Sequence, residues 1–385
     1  MVAGAKVVGL GEATHGSHEF FAMKERVFRH LVEERGFTTF ALEMSWSAGL
    51  RIDEYLQGGP GDPRRIVREA LTGSPWEREE FVSLISWMRE HNRRRPDRRV
   101  HFMGDDLGAP GLGDPVFERV LSSVGKARPE VLPRLTELYA GLRPFDDMFA
   151  YLRKPVAERK ENATRALRAF DLVAEGRNGG DDHTWAVQHA RNIAQTFAFA
   201  TVDLTDPVSV TAAERLRDQA MADNVLWWHR QTGHKMLLSA HNGHVGYLST
   251  HPDMYPVTQG TVLRERLGRD YAAIGFTFAA GSFLTKDTSL DGDWKPVTVP
   301  AAGPGMNEHT LDRVGYQDFY LDLRTVPAAA RAWLDRARPV HDAGSTFTPR
   351  PLPPLALGRA YDVLIHLHRI RAADELASRP RRPAA

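Results

Sequence analysis

The chain has 385 residues, 42% hydrophobic and 26% charged, proportions ordinary for a globular protein of two or three compact units or of one large domain with an insertion. Its formal charge of +1 gives no electrostatic reason to expect nucleic acid or an anionic membrane surface as a partner. Cysteine is absent, which removes disulfides, thiolate-bound zinc and thiol nucleophiles together and suits a cytoplasmic location; no apolar run approaches the roughly 20 residues of a spanning helix.

In chain order, Val7–Leu10 is a short apolar run that reads as a buried strand, and Gly11-Glu12-Ala13-Thr14-His15-Gly16 follows it. Ser17 is a cap for a helix through about Arg35, Gly36 stops that helix, and Thr38–Glu43 is the next strand, so residues 6–43 form a βαβ crossover. Helices are expected at 46–57, 62–72 (with Asp62-Pro63 as cap and first turn) and 77–93. The basic run from His91 to Arg99 fits a solvated helix end. Val100–Met103 is the third strand and leads into Asp105-Asp106.

From about 115 to 233 only helical patterns are legible, at 115–124, 129–141, 155–176, 182–201 and 211–232, broken by Pro144, the Gly176–Gly180 stretch and Pro207. The sheet resumes at Lys235–Ser239, which runs into His241-Asn242-Gly243-His244, and continues at Ala272–Phe278 and Phe319–Leu323. Pro349–Pro354 reads as a stiff linker, Tyr361–His368 as a candidate last strand, and Arg379–Ala385 as a disordered tail. The expected fold is therefore α/β: a mostly parallel central sheet flanked by helices, with a large all-helical insertion forming a lid or cleft wall. Residues 1–110 and 234–348 would supply the two parts of the core, 111–233 the insertion, and 349–385 the linker, last strand and tail.

Four apolar strands thus end in ionisable groups: Glu12 and His15, Glu43, Asp105 and Asp106, and His241 and His244. In an open α/β sheet the ligand site lies outside the carboxyl ends of the strands, so these groups are expected at one edge. The glycine spacing of a phosphate loop is absent, and a carboxylate three residues before an imidazole suits a base and the group that orients it. Gly-x-Ser-x-Gly is also absent, which leaves water as the expected nucleophile of any acyl chemistry.

Two helices supply further candidates. At about 100° per residue, Lys24 falls in the middle of the apolar face made by Phe20, Phe21, Val27, Phe28, Leu31 and Val32. A lysine there needs a partner, and Glu12, Glu43 or Asp106 would serve. Farther along, Arg217, Met221, Asn224 and Trp228 form one stripe with Asp218 beside it, which suits either a helix facing a wet cleft or a packing seam. His18, Glu19 and Asn242 adjoin the motifs and join Asp106, Arg217, Asn224 and Trp228 as supporting or substrate-binding candidates.

Taken together, Gly11–Gly16 with Glu19-Phe20-Phe21, Ala41-Leu42-Glu43, Trp76 to Asn92, Gly104–Asp106, Arg217-Asp218 with Met221–Asn224, Ala240–His244, Leu263–Gly268 and Gly281-Ser282-Phe283 resemble the erythromycin esterase family. The likeness spans the chain to about residue 325. It implies carboxylic-ester hydrolysis without a serine nucleophile, with His15 activating water, Glu12 and Glu43 as acids, His241 or His244 from the later loop, and Lys24 as the basic residue of the first helix. For the family it also implies, in some members, opening of macrolide lactones and the antibiotic resistance that follows.

The expected function is hydrolysis of a small-molecule ester or macrolactone by histidine-activated water, with no cofactor. Lys24 and one of His241 and His244 would stabilise the oxyanion. Three alternatives accompany it. A divalent metal held by His15, Glu43, His241 and His244 would make the hydrolase metal-dependent. Acyl transfer or lactonisation would activate a hydroxyl instead of water. A non-enzymatic protein could use the same histidines and carboxylates to hold heme, a metal or another ligand.

Overall fold

The computed structural model describes residues 2, 4–176, 180–286, 292–349 and 352–376. Ten strands are present among them: β1 (Val7–Leu10), β2 (Phe37–Ser45), β3 (His101–Asp106), β4 (Lys235–Ser239), β5 (Tyr271–Thr285), β6 (Lys295–Val299), β7 (Phe319–Asp322), β8 (Arg338–Pro339), β9 (Pro354–Leu355) and β10 (Val363–Ile370). The main sheet runs β3-β2-β4-β1-β5-β10-β7, with β6 paired to the far end of β5. From β3 through β10 all neighbours are parallel, whereas β7 and β6 are antiparallel additions. This is the mostly parallel α/β sheet expected. Strand order reverses around β1 and β4, the central pair, which is where such sheets leave a crevice.

The strands β1 to β5 are buried on both faces, and period-2 alternation sorts their side chains. Val7, Ala41, Met103, Leu238 and Ala273 enter one apolar core, and Val8, Phe40, Phe102, Leu237 and Ala272 enter the other. The second core is closed by α1 (His18–Arg35) through Phe20, Phe28 and Leu31, and by Leu84, Ile85 and Met88 of α4 (Glu79–Arg94). Gly36 ends α1 in the left-handed conformation, φ 70°, as a C-terminal glycine does. Ser17 stands at the N-cap of α1 without a side-chain capping bond. Between these elements lie α2 (Trp46–Leu56) and α3 (Pro63–Ala70), the latter capped by Asp62.

Between β3 and β4 the described residues are helical: α5 (Asp114–Ala127), α6 (Leu132–Ala140), α7 (Met148–Leu152), α8 (Val156–Ala174), α9 (Gly180–Phe199) and α10 (Pro207–Thr232). Their apolar faces, among them Phe117, Leu138, Phe197 and Leu226, belong to the same continuous core as the first face of the sheet. α7, β6 and the β8–β9 pair were not legible in the sequence; they are too short to show a period. Within Pro349–Pro354, residues 350 and 351 lie outside the described residues, as do 177–179 of the glycine stretch and all of Arg379–Ala385. No helix among the described residues is long and apolar enough to cross a membrane.

Candidate active site

The register of the sheet brings the four strand ends together. Leu10 of β1 pairs with both Ser239 of β4 and Ile274 of β5, and Leu42 of β2 pairs with Ser239 and with Gly104 of β3. Glu12, Glu43, Asp105 and His241 are therefore each only one or two residues past a common line across the sheet. Asn242 pins its turn there: its amide donates to Phe276 O (2.7 Å) and accepts from Phe276 N (3.0 Å). A Cβ at Gly11 would collide with that amide, so the residue after β1 has to be glycine.

At the centre, His15 Nδ1 lies 2.7 Å from Glu12 Oε1, and the second oxygen of Glu12 lies 2.5 Å from Lys24 Nζ. Burial works against the charge on Glu12, but Lys24 and His15 outweigh it and hold the carboxyl below its usual range. Burial likewise pulls the Lys24 ammonium down against the pull of Glu12. An ionised Glu12 can only accept, so Nδ1 of His15 is the donor in that bond. The other ring nitrogen, Nε2, makes no protein hydrogen bond among the described residues. The imidazole is walled by the rings of Trp76 (centroids 5.5 Å, edge-on) and His241 (5.0 Å).

A second cluster stands beside the first. Arg217 reaches in from α10 and clamps Asp106 through Nε (3.0 Å) and Nη2 (2.6 Å) while also donating to Glu43 Oε1 at 3.1 Å. Glu43 accepts from the His241 backbone N–H with its other oxygen, at 2.7 Å. His244 sits between two carboxylates, Nδ1 2.9 Å from Asp218 and Nε2 3.2 Å from Glu43. Burial disfavours its charge, yet Asp218 and Glu43 hold the imidazolium well above the ordinary histidine range. For Glu43 burial is again outweighed, by His244, His15 and Arg217, which keep the carboxyl well below its usual range. Asp105 is the exception. Fully buried, bonded through one oxygen to Gln259 (2.6 Å) and without a cation against it, it is pushed by burial well above the usual carboxylate value.

His241 has its own partner. Nε2 lies 3.2 Å from Asp342 Oδ1, off hydrogen-bonding alignment, and Nδ1 accepts weakly from Gly243 N at 3.2 Å. Burial lowers this histidine, but Asp342 more than compensates and its affinity for a proton is raised. Thr250 Oγ1 holds the other Asp342 oxygen at 2.5 Å. Asp342 is carried by a loop strapped to the motif, where Ala343 N donates to Ala13 O at 2.9 Å. Sequence reasoning missed it: no strand leads into residues 341–344, and a lone aspartate after a histidine carries no pattern.

Of the remaining candidates, several lie off this cluster. His18 bonds Glu80 of α4 (2.7 Å), and Glu19 accepts from Ser17 and from Arg371 N, so the two tie the start of α1 to α4 and to the C-terminal segment. Asn224 spends its amide on Asp105 O and Gln188, and Trp228 donates to Thr39 and packs against Trp46 and Trp185. The stripe on α10 is thus divided: Arg217 belongs to the cluster, while Asn224 and Trp228 belong to the packing seam.

In the donor set His15, Glu43, His241 and His244, both nitrogens of His244 already face carboxylates, which leaves it no free ligand atom, whereas His15 and His241 each turn only one nitrogen to a carboxylate. Among the described residues, the three-donor group spaced to hold a metal is a different one, His18, Glu80 and Asp374. There Asp374 is already paired with Arg371.

The family model for erythromycin esterase matches residues 32–370. Erythromycin esterase type II of Escherichia coli is 24% identical over 358 residues, which cover 85% of this chain and 83% of that protein. A Bacillus cereus protein of known crystal structure superposes with a TM-score of 0.88 at 27% identity, over 98% of this chain and 91% of that one. The erythromycin esterase EreC, in an open conformation, shares the fold with a TM-score of 0.76 at 20% identity, over 98% of this chain and 94% of its own. The chain belongs to the erythromycin esterase family and is a hydrolase of that type.

Proposed function

We propose that the chain hydrolyses a carboxylic ester or lactone of a small molecule, with water activated at His15 Nε2. The observation that carries this reading is the buried Lys24–Glu12–His15 relay, which fixes the tautomer and leaves one basic nitrogen unbonded. Water gives its proton to Nε2 as its oxygen bonds to the acyl carbon and the carbonyl oxygen takes the negative charge, with Glu12 stabilising the imidazolium. The tetrahedral intermediate then breaks its bond to the ester oxygen, which leaves as the alcohol with the proton returned from Nε2. An imidazole base of this kind contributes about 10²–10⁴-fold.

The sequence suggested Lys24 and one later histidine as oxyanion donors. With Lys24 committed to Glu12, and His244 locked between Asp218 and Glu43, His241 is the histidine left for that work. Its ring, drawn toward the charged form by Asp342 and 5.0 Å from that of His15, places positive potential where the tetrahedral oxygen develops. The Arg217 cluster, through Glu43 accepting from the His241 N–H, holds the wall of the site and the His241 turn in place.

The test is a mass-spectrometric screen of lactones and acyl esters in oxygen-18 water. Hydrolysis adds one water to the substrate and puts one heavy oxygen into the product carboxylate. Products that gain no labelled oxygen, or transfer of the acyl group to another hydroxyl, would contradict the reading.

A further inference from the structure

We propose that Gly344 is the specificity-determining position of this site, its missing side chain leaving the slot through which the acyl group reaches His15. Three sides of the imidazole are occupied: Glu12 holds Nδ1, and the rings of Trp76 and His241 stand 5.5 and 5.0 Å away, centroid to centroid. The remaining edge, Cδ2 and Nε2, faces Gly344. A Cβ built there would lie 4.0 Å from both of those atoms and would meet nothing else.

Nothing in the backbone demands glycine at this position. Gly344 is not among the glycines with positive φ, and an added methyl would make only ordinary van der Waals contact. This contrasts with Gly11 and Gly16, where a Cβ would strike Asn242 and the Leu284 backbone. The open volume therefore serves neither turn geometry nor packing; it lies against the one nitrogen of the relay that is unbonded. The strap that carries Gly344 is fixed, because Ala343 N is bonded to Ala13 O and Asp342 to Thr250. Branched atoms at 344 would project over Nε2, where the attacked carbonyl and the chain behind it have to sit.

The proposal rests on the hydrolase reading for its acyl assignment, but not for the placement of the opening, so its test has two arms. In the first, Gly344→Ala and Gly344→Leu are compared with the parent for the rate at which diethyl pyrocarbonate modifies His15, read by peptide mass, with thermal unfolding as the check on folding. Gly344→Leu is expected to slow modification severalfold and Gly344→Ala only slightly; an unchanged rate in a folded Gly344→Leu overturns the proposal. In the second, kcat/KM is measured for p-nitrophenyl esters of increasing acyl length. Gly344→Leu is expected to shift the preference toward acetyl by about 10-fold or more, the scale on which a pocket discriminates by added methylenes. An equal loss at every length overturns the acyl assignment. If the parent cleaves no ester at all, the hydrolase reading fails, and the modification arm alone still decides whether His15 opens toward Gly344.

Discussion

Lys24 Nζ lies 2.5 Å from Oε2 of Glu12, and both side chains are wholly buried beneath the carboxyl edge of the sheet. The pair explains how a carboxylate with no access to water stays ionised: the lysine on the apolar face of α1 cancels its charge. In the proposed reaction Lys24 is a positioning residue, acting on His15 through Glu12.

Lys24→Met should therefore leave a buried carboxylate unpaired. Removing one partner of such a pair costs about 3–5 kcal/mol. Glu12 would escape by taking up a proton and would then release the His15 tautomer, so activity should fall with stability. Replacing both groups, Lys24→Met with Glu12→Gln, should be less destabilising than the sum of the single changes. Urea unfolding of the four proteins in a double-mutant cycle measures this; additive costs would show that the pair is not coupled.

His244 gives a pH-dependent prediction. Its folded proton affinity is raised well above the ordinary histidine value of 6.5 by Asp218 and Glu43, against the opposing effect of burial. Its stabilisation is thus complete below about pH 6.5 and is lost as pH rises through the higher folded value. Glu43 has the opposite sign: its carboxyl is lowered from 4.5, so its contribution is present above that value and lost as pH falls. His244→Gln should be destabilised most strongly between these limits, with the gap to the parent narrowing toward alkaline pH. Unfolding free energy measured across pH 5 to about 10 checks the slope; a gap that widened with pH would contradict the charge assigned here.

Glu308 makes a separate stability prediction. It is fully buried behind the strap, accepts from His341 N at 2.8 Å, and burial pushes its carboxyl from 4.5 up to about 8. Because the folded value is raised, stability is highest below 4.5 and declines as pH rises to about 8. Glu308→Gln keeps the acceptor and removes the titration. It should be increasingly more stable than the parent between pH 5 and 8, by as much as ~5 kcal/mol at about 1.4 kcal/mol per pH unit. Thermal unfolding of the two proteins at several pH values reads the difference directly; a constant offset would rule out titration of Glu308 in this range.

What the sequence revealed of this site follows from where periodicity exists. β1, β2, β3 and β4 are buried on both faces, so they appear as unbroken apolar runs, and the charged residues that end them stand out. Lys24 stood out for the same reason, as a cation on an apolar helical face. Asp342 and Gly344 had no such background. They lie on an irregular loop placed by the Ala343–Ala13 bond, a contact more than three hundred residues apart in the chain. The α10 stripe was legible as mixed but not as divided, because whether Asn224 faces a cleft or a seam depends on what packs opposite it. Here Gln188 and the Asp105 carbonyl do. Asp105 and Asp106 likewise look alike in sequence; what separates them is that Arg217 reaches Asp106, while buried Asp105, with no cation against it, is pushed well above the usual carboxylate value.

The most direct test of the central claim is the rate of ester hydrolysis by His15→Gln, with folding verified by thermal unfolding. The account expects kcat/KM to fall by about 10²–10⁴-fold, the worth of a positioned imidazole base, while the protein stays folded. A folded variant that hydrolyses the same ester at close to the parent rate would contradict it.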